Sequence, residues 1–128
     1  MDIQTYFNQI ETLVNQYLAT DFVAQANLTI EPRPAQQGYL TGSIIFIDSS
    51  ALHFKEYLDG LTNGIVKKRY SYHYQDSTNG LIFRYDNANH KPPLGFIEHK
   101  HLIDGRIIQA NAPRLDEVLL EIVMLQQW

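Results

Sequence analysis

Residues Lys67–His101 read KKRYSYHYQDSTNGLIFRYDNANHKPPLGFIEHKH, and the fold is decided here. Residues 68–75 alternate: Tyr70, Tyr72 and Tyr74 share one face of an extended segment, and Arg69, Ser71 and His73 share the other. Asp76-Ser77-Thr78-Asn79-Gly80 has turn composition, and Leu81 to Asp86 returns as a second strand. A turn of two residues and one of four give the same facing: Phe83 and Tyr85 join the tyrosines, and Arg84 joins Ser71 and His73. The hairpin therefore has an aromatic face and a polar, basic face. The tyrosine row is expected in the core, the alternative being a platform for stacked bases.

Downstream, Pro92, Pro93 and Gly95 rule out a continuous helix or a central strand from Asn87 to Leu102. That stretch is expected to be a long ordered loop carrying His90, His99 and His101, three of the five histidines. Ile107 to Ala110 adds a short strand after the Asp104-Gly105 turn. From Arg114, residues Leu115, Val118, Leu119, Ile122 and Val123 trace an amphipathic helix, with Pro113 at its start and Asp116 and Glu117 in its first turn. The apolar Met124, Leu125 and Trp128 near the end are expected to be exposed, which suggests a homodimer.

Upstream, Ile3, Tyr6, Phe7, Ile10, Leu13, Val14 and Tyr17 recur at steps of three and four, a helix from about Asp2 to Leu18. Phe22 to Ile30 is an edge strand closed by Pro32 and Pro34, and Tyr39 to Ile47 is a strand rich in β-branched and aromatic residues. In Leu52–Leu58, Glu56 falls on the apolar side with Leu52, Phe54 and Leu58. It is expected to turn to solvent, the alternative being a positive partner in the site. His53, Lys55 and Tyr57 share the opposite face. The fold expected is α+β: an antiparallel meander of about five strands, with N- and C-terminal helices packed on one face, in a single domain over residues 1–128.

Composition sets the bounds. The chain has 128 residues, 45% of them hydrophobic and 19% charged, ordinary for a globular protein and unlike a disordered one. Without cysteine there is no disulfide framework, thiol nucleophile or cysteine-ligated zinc. No basic start with an apolar run opens the sequence and no apolar run reaches the length of a membrane span, so the cytoplasm is the expected compartment and no membrane is involved. The net charge is −4, yet from Lys67 to Arg106 seven basic residues outnumber four acidic ones, leaving −7 for the rest. A basic centre in an acidic body can attract a phosphate locally; an ordinary mixed surface accounts for the same numbers.

The histidines suggest two chemistries. Imidazole exchanges a proton near neutral pH, and Arg and Lys hold a phosphate and its developing charge, so together they suit metal-independent RNA cleavage. The acid–base pair is assigned to His99 and His101, or to one of them with His90, with Arg84 and Lys100 stabilising the phosphorane and Asp86 orienting an imidazole. His73 is the reserve, and Arg69, His73, Tyr85, Asp86, Asn87 and Lys91 are the substrate contacts. In an extended segment the two histidines flanking Lys100 are expected on opposite sides unless the loop turns. The alternative is a metal site in which His90, His99 and His101, with Asp86 or Glu98, suit zinc, manganese or nickel, although Lys91 and Lys100 would crowd a dication. A further alternative is a non-catalytic module binding a partner protein or a metal through the same loop.

Arg69-Tyr70-Ser71-Tyr72-His73-Tyr74, Leu81-Ile82-Phe83-Arg84-Tyr85-Asp86-Asn87-Ala88, His90 and His99-Lys100-His101-Leu102 together resemble the TumE family of prokaryotic toxin–antitoxin proteins. The resemblance covers Lys67 to Leu102 and, more loosely, the closing helix. Relatives tend to read Pro-His-His where this chain has Asn89-His90-Lys91, and Pro-His-His-Lys-His where it has Ile97-Glu98-His99-Lys100-His101. Each stretch is thus one histidine short, which weighs most against a four-histidine metal cage. The resemblance implies a toxin paired with a helix-turn-helix antitoxin encoded beside it.

Overall fold

The computed structural model describes residues 1–60 and 64–128. Helix α1 spans Ile3–Leu18, and the Asp2 carboxylate caps it by accepting from the Thr5 amide at 2.8 Å. Seven strands follow: β1 (Val23–Arg33), β2 (Gln37–Phe46), β3 (Ala51–Asp59), β4 (Val66–Gln75), β5 (Leu81–Asp86), β6 (His99–Leu102) and β7 (Ile107–Gln109). Helix α2, Leu115–Gln126, closes the chain, with Asp116 and Glu117 at its positive end.

Each strand pairs antiparallel with the next, so the spatial order β1 to β7 is also the chain order. This is the expected meander with both helices on one face, with seven strands in place of about five. The strand beginning near Phe22 is an edge, as expected, but runs on through Pro32 to Arg33; only an edge strand can spare the missing amide. The one larger departure is His99–Leu102. Because the prolines end by Pro93, the chain straightens after them, and β6 pairs with both β5 and β7 instead of remaining loop.

The core lies between the helices and one sheet face. Ile3, Phe7, Ile10 and Val14 of α1 and Leu115, Val118, Leu119 and Ile122 of α2 pack with Leu40, Ile44, Leu52, Phe54, Leu58, Tyr70, Tyr72, Tyr74 and Phe83. The tyrosine row is therefore core. Gly38 and Gly42 make room for this packing: a Cβ at Gly38 would lie 2.3 Å from Phe7 Cζ, and one at Gly42 would lie 2.4 Å from Phe54 Cζ and 2.7 Å from the Asn27 carbonyl. Met124 and Leu125 are exposed as expected, but Trp128 is not free, because it stacks on Phe22 and Phe46 at 5.4 and 5.0 Å.

Glu56 departs further from expectation. It is fully buried, accepts hydrogen bonds from the Tyr6 and Tyr72 hydroxyls, and lies 3.7 Å from Lys67 Nζ. The alternation of β3 aims it inward, and three donors on α1 and β4 replace the water it gives up. Burial, and after it the Glu56 charge, push both tyrosine hydroxyls to higher pKa; burial lowers that of Lys67, although Glu56 opposes the shift.

Candidate active site

On the sheet face away from the helices, cross-strand pairing lines up polar side chains. Ser43 pairs with His53, His53 with His73, His73 with Arg84, and Arg84 with His101, one row over five strands. The neighbouring row joins Lys55, Ser71, Asp86 and His99. Directly opposed residues share a face, so four histidines and two cations from distant parts of the chain meet there. A recess of about 400 Å³ opens between His53, Lys55, Ser71, His73 and Arg84. A larger groove of about 640 Å³ beside α1, lined by Tyr6, Ile10, Leu13, Ile65 and Leu115, lacks this convergence of imidazoles.

Asp86, 4% exposed, is the hub. One oxygen, Oδ1, accepts from the Ala88 amide at 3.0 Å and lies 2.8 Å from His99 Nε2. The other, Oδ2, accepts from Arg84 Nε at 2.7 Å and lies 3.5 Å from His101 Nε2. His90, from the loop, places its Nε2 3.0 Å from that of His99. The three imidazole rings lie 4.6–5.4 Å apart, centre to centre. His99 has no exposed surface, and its Nδ1 lies 2.6 Å from the Ile97 carbonyl. A carbonyl can only accept, so Nδ1 carries the hydrogen and Nε2 points at Asp86 and His90.

Charge follows from these contacts. Burial alone would raise the Asp86 pKa, but the Arg84 and Ala88 hydrogen bonds and the positive charge offered by His99 and Arg84 bring it below the ordinary value. Burial lowers that of His101; Asp86 opposes this, while His99, His90 and Arg84 reinforce it. His73, with its Nδ1 3.3 Å from Arg84 Nη1, is lowered by burial and then by the Arg84 and His53 charges. Both imidazoles are therefore held below the ordinary histidine range.

Asp86, His90, His99, His101, Arg84 and His73 are thus brought together. His99 and His101 point the same way, contrary to the expected divergence, because residues two apart in a strand share a face. Lys100, between them, points to the other face, where its Nζ donates to Glu121 at 2.7 Å and lies 4.8 Å from the Tyr85 ring centre. Tyr85 is there too, donating to Glu121 at 2.6 Å. Glu98 turns away to accept from the Tyr70 hydroxyl and the Ala112 amide, each at 3.0 Å. Asn87 holds backbone, accepting from the Tyr70 amide at 3.1 Å and donating to the Lys68 carbonyl at 3.0 Å. Arg69 is exposed on the polar face, paired with Tyr57, and Lys91 is exposed in the loop. Sequence reasoning left out His53 and Lys55, both exposed beside His73 and Arg84; the signal was their alternation in β3, carried over to β4 by register.

A family model described as "Toxin TumE" matches residues 10–126. Comparison with curated proteins and with solved structures gave no match.

Proposed function

Since the chain belongs to the TumE toxin family, we propose that it is the toxin of a toxin–antitoxin pair and cleaves RNA at the polar sheet face. The observation that carries this is Arg84: its side chain is one-third exposed and stands between His73 on one neighbouring strand and the Asp86–histidine cluster on the other. A guanidinium there can hold a phosphodiester and the charge that grows on it. Proton acceptors and donors flank it on both sides, as in-line attack by a ribose 2′-hydroxyl requires. The 2′-oxygen bonds to phosphorus as its proton passes to one side, and the 5′-oxygen leaves with a proton from the other, giving a 2′,3′-cyclic phosphate and a 5′-hydroxyl. His73 serves one side. The cluster serves the other through His101 and His90, because His99 is sealed from substrate and acts as a positioning residue.

His53, Lys55 and Arg69 extend the row and suit flanking phosphates. Family membership implies an antitoxin partner; we assign it to the helix-turn-helix class. No helix among the described residues is long and apolar enough to cross a membrane. The homodimer reading now rests on Leu120, Met124 and Leu125, exposed together on α2. The experiment is to induce the chain without its antitoxin and map RNA ends. New 5′-hydroxyl ends that vanish with Arg84→Ala support the reading. Growth arrest with intact RNA overturns it and favours the non-catalytic binding module.

A further inference from the structure

We propose that Asp86, His90, His99 and His101 bind a divalent first-row transition ion of the zinc class. The four residues offer one ligand atom each, all within 4.8 Å of one another. Ligands on a tetrahedral zinc, with bonds of about 2.0–2.1 Å, stand about 3.3 Å apart. Asp86 Oδ1 stands 2.8 Å and His90 Nε2 3.0 Å from His99 Nε2, Asp86 Oδ2 stands 3.5 Å from His101 Nε2, and with one atom per residue the remaining pairs lie within 4.8 Å.

Hydrogen counting points the same way. With the hydrogen of His99 committed to the Ile97 carbonyl, its Nε2 lone pair faces a carboxylate oxygen and a second imidazole nitrogen. A proton at Nε2 would satisfy one of these contacts and leave the other unmet, whereas a cation between the ligands satisfies every lone pair at once. The outer contacts are those that metal ligands keep: a carbonyl fixes the imidazole tautomer, and the Arg84 guanidinium and Ala88 amide fix the carboxylate. Lysine crowding, the objection raised by the sequence, is lifted, since Lys100 lies on the far face and Lys91 is exposed. Three imidazoles with one carboxylate favour a borderline ion over magnesium or calcium.

Three of the ligands come from paired strands, and His90 arrives from the loop, so the ion would fasten the loop to the sheet. The assignment deepens the reading of this cluster as an active centre and rests on that reading only for the ion's task. There, an ion-bound hydroxide, in place of the His101 or His90 imidazole, would take the 2′-hydroxyl proton and become water.

The full chain, stripped with chelator, is titrated with cobalt and with zinc, following visible absorbance and thermal midpoint; metal content is measured on untreated protein. About one ion per chain, four- or five-coordinate cobalt bands, and affinity at least tenfold weaker in His90→Ala and His101→Ala are expected. No uptake of cobalt, zinc or manganese by the stripped protein overturns the site, as does uptake unchanged in the double variant. Since His99 is buried and its variants risk misfolding, the test rests on the two half-buried ligands and on wild-type spectra. An ion bound here while RNA stays intact supports the site and refutes only the cleavage reading.

Discussion

Each face of the sheet buries one carboxylate, and the two are solvated in opposite ways. Glu56, beneath the helices, meets two tyrosine hydroxyls and an ammonium, groups that bring their own hydrogens. Asp86, beneath the loop, meets a guanidinium and an amide but also two imidazole nitrogens, with a third next to those. Around Glu56 the donors close the account, giving a static brace between α1, β3 and β4. Around Asp86 only the guanidinium and the amide bring fixed hydrogens, and the imidazole nitrogens can present a hydrogen or a lone pair, an arrangement open to a cation or to a moving proton. Burial of charge alone therefore does not mark a functional site; the balance of donors and acceptors around it does.

Changing Asp86 should have the largest effect. Asp86→Asn keeps the size but removes the charge that gathers Arg84 and the imidazoles, and RNA cleavage is expected to fall roughly 100- to 10,000-fold. Cleavage within tenfold of wild type would erase the distinction between the two carboxylates.

Glu56→Leu should do the reverse. It takes the acceptor from the Tyr6 and Tyr72 hydroxyls and the counter-charge from Lys67, whose ammonium keeps only the Pro113 carbonyl and the Tyr72 oxygen, a loss of about 3–5 kcal/mol in a urea titration, while cleavage per folded molecule is kept. Glu56→Leu with Lys67→Met should recover part of that loss, since no buried charge is then left without its counter-charge. A variant as stable as wild type would show Glu56 to be dispensable.

The helix face was largely legible in the sequence and the polar face only in part, for a physical reason. Three-and-four spacing in Ile3–Tyr17 and in Leu115–Val123, and alternation through Tyr70, Tyr72, Tyr74 and Phe83, are local patterns that burial enforces. His99-Lys100-His101-Leu102 has no β-branched residue, is only four residues long, and becomes a strand through its neighbours on both sides. Without that pairing, Lys100 cannot be placed on the far face. His53 joins the site through register across β3 to β5, which no single window of sequence displays. The burial of Glu56 is not legible in β3 alone because its three partners come from α1 and β4.

The glycines sharpen the view of the helix face at a smaller scale. Adding a methyl group at either should cost about 1–3 kcal/mol by overpacking. Gly42→Ala should cost more than Gly38→Ala, since a Cβ at Gly42 meets the Asn27 carbonyl as well as a ring, whereas at Gly38 only the tip of Phe7 must yield. Urea midpoints would check the order, and equal losses would mean that the Asn27 backbone yields as readily as a ring.

The smallest effect should come from the outer part of the polar row. His53 and Lys55 are exposed and, among the described residues, have neither an ion pair nor a side-chain hydrogen bond, so replacing them should leave stability within about 0.5 kcal/mol. If the row tracks an RNA backbone, Lys55 neutralises one phosphate, and Lys55→Ala should lower the slope of log affinity against log salt by about 0.7, whatever the sequence of a single-stranded RNA. His53→Ala should change that slope less than Lys55→Ala. Affinity measured on a catalytically silent Arg84→Ala background separates binding from cleavage, and an unchanged slope in Lys55→Ala would confine the substrate to the strip between His73 and His101.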